Sequence, residues 1–433
     1  MQIKNVLKSA LLSSSVGEGL YATAQEAWFN AGYRRIREKY QEALSGNPDA
    51  WSASAAISRA RKRIEDRGYR PVPRRVSEVH TYAYIPGNWA HQNQIAKNLA
   101  KLGFCTRFDY TRQGLSLSEL RSANPKSSLN RQELQKKLLD HIKEIHRRRP
   151  IDWFFSYALG WDLTAESVLR IQEEIGIPTV NISLDDKNWW LEIERGDRIS
   201  GLNNIAPKFD LGWTSATASV PWYWAEGGQA IFLPEGADTD WFRPISDVSQ
   251  DIGVGFVGSN FGRRRNLLSK LAKAGIEVVV FGDGWEGGRL DDESMLRFFN
   301  RCKINLGIGD MHYSRWLTNL KGRDFEIPSV GRGVYATTYN GDLARCFGIG
   351  REIICYRGVD ELIELIRYYR SNQDEARAVA EQGRRRCVAD HQWTRRFLTI
   401  LDAIGVIAGN ADGTLGNFSP EALETMDWTQ QVD

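Results

Sequence analysis

A chain of 433 residues is too long for one ordinary core, and its length favours two or three domains. Its 42% hydrophobic and 26% charged residues exclude wholesale disorder, and a net charge of +3 excludes nucleic acid as the default partner. The five cysteines are scattered without a C-x-x-C pair, which argues against a zinc site or a disulfide framework and fits a reducing compartment.

No stretch approaches the ~20 consecutive apolar residues that a membrane-spanning helix needs. The short apolar run around Val6-Leu7 and Ala10-Leu11-Leu12 breaks at Ser13, so a signal peptide is not expected and the location reads as cytoplasmic. Residues 1–75 carry helical patterning and no strand candidate. Trp28, Tyr33 and Ile36 fall at helical spacing, a second helix covers Ala55–Asp66, and Pro71 and Pro73 punctuate the end. These residues form a helical extension in this reading. Intramolecular docking is favoured over peripheral membrane association, because no broad basic face opposes a clean apolar one.

After Val76 strands and helices alternate. Val79–Ile85 is a strand, and Ile95, Leu99 and Leu102 share one face of the next helix, which Gly103 ends because glycine tolerates left-handed backbone. Phe104–Phe108, Trp153–Tyr157 and Thr179–Ser183 are further strands, separated by helices around Leu134–Ile145 and Val168–Ile175. The alternation pauses near Leu233-Pro234-Glu235-Gly236 and restarts with strands at Ile252–Val257, Glu277–Phe281, Ile304–Gly307, Val334–Thr337 and Glu352–Tyr356. Short apolar strands joined through helices imply parallel sheets. The architecture expected is α/β: a helical extension over 1–75, a doubly wound domain over 76–235, a second over 236–409, and a peripheral tail over 410–433. The two doubly wound domains face a cleft in this reading, and ligands sit beyond the carboxyl ends of the strands.

Four loops of the second domain draw attention. Gly258-Ser259-Asn260-Phe261-Gly262 leads into Arg263-Arg264-Arg265 at a helix start, where backbone N–H groups and guanidinium forks suit a diphosphate. Gly282-Asp283-Gly284-Trp285 gives either an ordinary tight turn or a loop that admits a base or sugar, with Trp285 as a stacking face. The strand ending at Asn305-Leu306-Gly307 and the run Lys321-Gly322-Arg323-Asp324-Phe325-Glu326 complete the set, followed by Gly331. The other arginine triplets, Arg147–Arg149 and Arg384–Arg386, read as solvated helix faces.

From Lys303 to about Phe397 the chain resembles the C-terminal domain of CgeB-like (spore-maturation-type) glycosyltransferases of the GT-B fold. The resemblance rests on Lys321–Glu326, Gly331, Phe347–Ile353 and Asp390–Arg396. Phe256–Ser259 and Leu233–Asp238 also look like GT-B segments. It implies two Rossmann-like domains and a nucleotide-sugar donor (UDP-, GDP- or dTDP-sugar) whose sugar passes to a glycan, lipid-linked or protein acceptor. In related enzymes a glutamate five residues before a glycine accepts hydrogen bonds from the donor ribose. Glu326 and Gly331 keep that spacing, while a salt bridge to Arg323 is the plainer alternative for a buried glutamate. Thr318 stands where many retaining relatives carry a further glutamate, so retaining and inverting outcomes both stay open.

The loop readings and the resemblance together assign the donor to Gly258, Ser259, Arg263, Arg265, Gly282, Trp285, Asn305, Lys321, Arg323 and Glu326. Arg323, Lys321 and one of Arg263–Arg265 stabilise the leaving diphosphate in this reading, without a required metal or other cofactor. The first domain is expected to hold the acceptor. His91, in the loop after the first strand, is one candidate base, and Asp186 of the Asp185-Asp186 pair is the other, with helix capping as its plainer role. Arg323 is grouped with these two as catalytic. His391 reads as part of a helix junction. A non-catalytic nucleotide- or carbohydrate-binding protein of the same fold and a nucleotide-sugar epimerase remain as alternatives.

Overall fold

The computed structural model describes residues 15–46, 48–122, 124–191, 201–311, 313–314 and 316–408. The tail expected over 410–433 lies outside them. Two all-parallel sheets organise the chain. The first contains β1 (His80–Tyr84), β2 (Phe104–Phe108), β3 (Trp153–Ser156), β4 (Thr179–Ser183), β5 (Leu211–Thr214) and β6 (Ala230–Phe232), in the order β2-β1-β3-β4-β5-β6. The second contains β7 (Ile252–Val257), β8 (Val279–Phe281), β9 (Cys302–Leu306), β10 (Val334–Thr338) and β11 (Ile354–Tyr356), in the order β11-β10-β9-β7-β8. Strand order therefore reverses between β1 and β3 in one sheet and between β7 and β9 in the other. The fold is the expected pair of Rossmann-like α/β units.

β5 and β6 are strands that the patterning does not announce. Leu-Gly-Trp-Thr and Ala-Ile-Phe are too short to show a period, and they exist because β4 offers β5 a ladder and β5 offers one to β6. Gly212 in β5 has a packing reason, since a Cβ there would stand 2.6 Å from the Tyr223 ring.

The division into units differs from the expected one. One compact unit joins the described residues of Met1–Glu38 to Thr239–Val388, and the other joins Lys39–Asp238 to those of Ala389–Asp433. The 1–75 extension is thus two pieces with different hosts. Its second piece is tied to the first sheet by the helix Ala53–Asp66 and by Arg67. The Arg67 guanidinium donates to both oxygens of the fully buried Asp210 at 2.5 and 2.8 Å.

The last described helix also returns to the first sheet. In the helix Trp393–Ala403, Phe397 lies edge-on to Phe155 of β3 at 5.6 Å and to Trp213 of β5 at 5.7 Å between centroids. Arg396 is fully buried, and its guanidinium donates to the carbonyls of Pro234 (3.0 Å) and Asp390 (2.6 Å) and meets His391 Nδ1 at 2.6 Å. Ala237 bridges Gln392 in the same place. Two stretches 150 residues apart, Leu233–Asp238 and Asp390–Arg396, are therefore one structural joint, and His391 belongs to it. Among the described residues no helix is long and apolar enough to cross a membrane.

This placement predicts that Phe397→Ala costs about 3–5 kcal/mol, the usual range for a truncated core aromatic. Hydrogen exchange should show the loss in the amides of β3, β4 and β5, with β7 and β9 keeping their protection.

Candidate active site

In the second sheet the carboxyl ends of β7, β9, β10 and β11 are tied together by polar side chains. Arg264, the first residue of the helix Arg264–Lys273, reaches back over the Phe256 ring. It donates to the carbonyls of Ser259 (3.0 Å) and Ile308 (3.4 Å), just past the ends of β7 and β9. The Tyr356 hydroxyl, from β11, donates to the Gly307 carbonyl at 2.7 Å. Gly309 N–H donates to Thr338 Oγ1, at the end of β10, at 3.2 Å. The Arg264 link crosses the position where strand order reverses, which is where open α/β sheets take ligands.

Asp310 follows this crossing and faces Arg264, Arg263 and Lys321. Burial pushes its carboxyl up to about 6, against the pull of those cations and of a hydrogen bond with Thr338. Asp324, in the first turn of the helix Arg323–Val330, is buried beneath the same edge. Its carboxylate accepts from Tyr335 Oη (2.7 Å), Thr337 Oγ1 (3.3 Å) and Lys321 N–H (2.8 Å), and burial raises it to about 6 as well. Arg264, Asp310 and Asp324 were not singled out by sequence reasoning. An arginine triplet does not show which member turns inward, and neither aspartate belongs to a recognisable spacing.

Glu326 is buried, 5% exposed, and pairs through Oε2 with Arg323 one turn earlier. Arg323 also meets Met295 Sδ at 3.0 Å and the Phe299 ring at 5.5 Å, both on the helix Asp292–Arg301. The five-residue spacing to Gly331 has a structural reason of its own. Gly331 ends the helix at φ +64°, and a Cβ there would lie 2.7 Å from the stem of Arg384. Arg384 in turn donates to the Ser329 carbonyl, so that arginine triplet is partly a helix cap and not only a solvated face.

Other expected donor residues have different work. Gly258 and Gly282 are in backbone contact: a Cβ on Gly282 would stand 2.3 Å from the Gly258 carbonyl oxygen. Trp285 donates its indole N–H to that carbonyl at 2.7 Å and lies against the core of the unit, so it is a packing residue and not a stacking face. Arg265 is exposed, 5.8 Å from the Trp285 ring. Asn305 lies inside the sheet, 1% exposed, and donates to the Phe299 carbonyl at 3.1 Å, which removes it from the ligand face. Arg263 donates to the Tyr313 carbonyl (2.8 Å) and is paired at 2.6 Å with Glu26 of the N-terminal helix Ser15–Lys39. Of the expected set, the structure pairs Arg323 with Glu326, and separately sets Lys321 towards Asp310 beside Arg264, which donates to the Ser259 carbonyl.

In the first-sheet unit Asp186 is a structural acid. It is 1% exposed, and its carboxylate accepts from the hydroxyls of Thr214 and Tyr223, with burial raising it to about 6. Its two oxygens face inward, so it is withdrawn as a base. His91 stacks on Trp89, and its Nε2 lies 3.2 Å from the Tyr157 hydroxyl beyond the end of β3. Among the described residues no cluster of three His, Cys, Asp or Glu side chains is placed to hold a metal ion.

Residues 263–402 match a family model described as glycosyl transferase-like. No curated protein matches the chain by sequence. Among solved structures, sucrose-phosphate synthase from Thermosynechococcus elongatus is 13% identical with a TM-score of 0.52, covering 75% of this chain and 98% of that one. A glycosyltransferase from Rickettsia africae gives 12%, 0.54, 76% and 98%. Anabaena HepE, solved in complex with UDP and glucose, gives 14%, 0.51, 75% and 100%. The fold is thus the GT-B fold of these solved structures, and residues 263–402 match the glycosyl transferase-like family model.

The assignment of Asp186 makes a stability prediction. Asp186→Ala leaves the buried Thr214 and Tyr223 hydroxyls without their acceptor and should lower unfolding free energy by about 2–3 kcal/mol in urea titrations.

Proposed function

We propose that this chain transfers a sugar from a nucleotide-sugar donor to a glycan, lipid-linked or protein acceptor, binding the donor at the carboxyl ends of β7, β9 and β10. The observation that carries the reading is the grouping of Arg264, Lys321 and Asp310 where strand order reverses, inside the stretch that matches a glycosyl transferase-like family. Fixed cations at that edge suit the charge that grows on a departing nucleoside diphosphate, and Lys321 with Arg264 supplies it. The first turn of the helix Arg323–Val330 adds the positive end of a helix dipole. No metal is assigned a role.

Glu326 is the ribose acceptor in this reading. Arg323 occupies Oε2, fixing the carboxylate, and Oε1 is the oxygen offered to the ribose hydroxyls. Arg323 then acts by orienting Glu326. Arg263 enters only by exchanging Glu26 for a phosphate. UDP is the first base to test, since HepE was solved with UDP. The finer likeness to CgeB-like enzymes belongs to this proposal and is supported by Lys321–Glu326 with Gly331. So does a cytoplasmic location, where nucleotide sugars are made. The acceptor is assigned to the first-sheet unit, and His91 remains the candidate base there because its partner Tyr157 stands beyond β3.

UDP-, GDP- and dTDP-sugars offered in turn should yield nucleotide release with at least one, and Glu326→Ala should weaken that donor by roughly 10- to 100-fold. A folded wild-type protein that neither binds nor turns over any of them refutes the reading.

Asp310 also gives this site a pH dependence. Its carboxyl titrates at about 6, so it is neutral below that pH and opposes Arg264 and Lys321 with a negative charge above it. The diphosphate of UDP-glucose is a diester that does not titrate in this range. Its affinity should therefore fall several-fold between pH 5 and pH 7, and Asp310→Asn should flatten the profile and keep the tighter limit. Isothermal titration across that range measures both.

A further inference from the structure

The helix Ser15–Lys39 lies, up to Glu38, in the same compact unit as the second sheet, and one stripe of it meets the loops at that sheet's carboxyl edge. Glu26, Asn30 and Tyr33 fall at i, i+4 and i+7, on one face. Glu26 pairs at 2.6 Å with Arg263, the N-cap residue of the helix Arg264–Lys273. Asn30 accepts at 3.0 Å from the hydroxyl of Ser314, in the connection after β9, and Ser314 in turn takes the N–H groups of Trp316 and Leu317 at 3.2 and 3.0 Å. Burial raises the Tyr33 phenol, Arg37 opposes that rise, and Asp342, after β10, adds to it. Tyr21 stands edge-on to Tyr313 at 5.7 Å. The helix therefore crosses the loops that follow β7, β9 and β10, the edge at which the donor is proposed to bind.

This face is unlike one that docks a helix for stability, which would be a continuous apolar stripe. Among the described residues from 20 to 38 only Phe29 and Ile36 are buried, whereas Leu20 is 64% and Trp28 43% exposed. What the face brings to the edge is a carboxylate. The side chains of Arg263 and Glu26 are 18% and 13% exposed, so both charges are largely withdrawn from water and each is the other's compensation. Arg263 is also one of the three cations, with Arg264 and Lys321, that act on Asp310. Without Glu26 the edge holds those three cations against one carboxyl, and Glu26 adds a second acid. An anion seated on a guanidinium at the start of a helix occupies what a phosphate of the donor would take. The sparse apolar contact makes this occupancy reversible, since little buried surface returns to water when the helix lifts.

We infer that this helix is an autoinhibitory strap: Glu26 stands in for a donor phosphate on Arg263, and a nucleoside diphosphate binds by displacing it. The inference rests on the donor reading of the second unit and adds to it a competitor carried by the chain itself. The competition follows the charge of the ligand. At neutral pH a free nucleoside diphosphate carries more negative charge than its sugar ester, so Glu26 opposes the product more than the donor and favours product release.

Isothermal titration of the full chain with UDP, UDP-glucose and uridine tests it, with the GDP or dTDP counterparts used if UDP does not bind. Glu26→Gln, which keeps the size of the side chain and removes its charge, should tighten UDP about five- to tenfold and UDP-glucose less, and leave uridine as in the wild type. In an Arg263→Ala background the same substitution should change UDP affinity by roughly twofold or less. Hydrogen exchange on the wild type reads the displacement without any substitution: UDP should speed exchange in residues 20–38 and slow it in the loops after β7 and β9. Weaker UDP binding by Glu26→Gln would make Glu26 a support for Arg263 and overturns the inference. So does unchanged UDP affinity, an equal increase for uridine, an increase that persists without Arg263, or a helix that UDP protects. A wild type that binds UDP with no tightening in the variant removes the strap alone. Failure of both proteins to bind any of the three nucleotides removes the donor reading.

Discussion

The guanidinium of Arg264 holds the second unit's functional edge in shape. It spans from the Ser259 carbonyl to the Ile308 carbonyl, so the loops that follow β7 and β9 stand at a fixed separation where the strand order reverses. A parallel sheet with crossovers on both faces must leave a gap at such a position, because its two connections run away from each other. Bridging the gap with a cation has an electrostatic consequence. Asp310 can be buried next to it, and the local charge then depends on whether that carboxyl carries its proton. Lys321 and the first turn of the helix Arg323–Val330 complete the edge from the β9–β10 connection.

Around this edge the buried acids divide the labour. Asp324 is spent on structure, taking hydrogen bonds from Tyr335, Thr337 and the Lys321 backbone and thereby setting where the helix begins. Glu326, two residues on, pairs with Arg323, which itself contacts Met295 of the Asp292–Arg301 helix. Both carboxylates are fully or nearly buried in one short helix, and each is stabilised by specific donors, as burial of charge demands. Asp186 in the first-sheet unit obeys the same rule, and this is why a residue that looks like a base in the sequence is a structural element in the fold.

The chain's ends show how weakly sequence order constrains three-dimensional membership. The helix Ser15–Lys39 places Glu26 on Arg263, next to the edge of the second unit that Arg264 bridges. The helix Trp393–Ala403, which follows the second sheet in sequence, lies with the first one. The joint that makes this exchange stable is Arg396, a fully buried cation whose guanidinium is met by backbone carbonyls and by His391. Motifs at Leu233–Asp238 and Asp390–Arg396 thus report one joint, although they read as marks of separate domains.

The sequence by itself determined the α/β class, the parallel sheets and most of their strands, because period-2 and period-3.6 patterns and glycine breaks are local properties. It also exposed the Lys321–Glu326 run, whose order of charges and glycine is visible without a fold. Tertiary structure alone decided which arginine of 263–265 turns inward, since the triplet presents three equal side chains and only the position of Ile308 and Ser259 distinguishes them. It decided that Asn305 and Trp285 face the interior and that Asp186 is fully engaged, through partners 6 to 37 residues away. It also assembled an aromatic pocket from Trp89, Tyr157, Trp161 and Trp189. These rings lie in the connections after β1, β3 and β4, and only the parallel sheet brings the ends of those strands to one side.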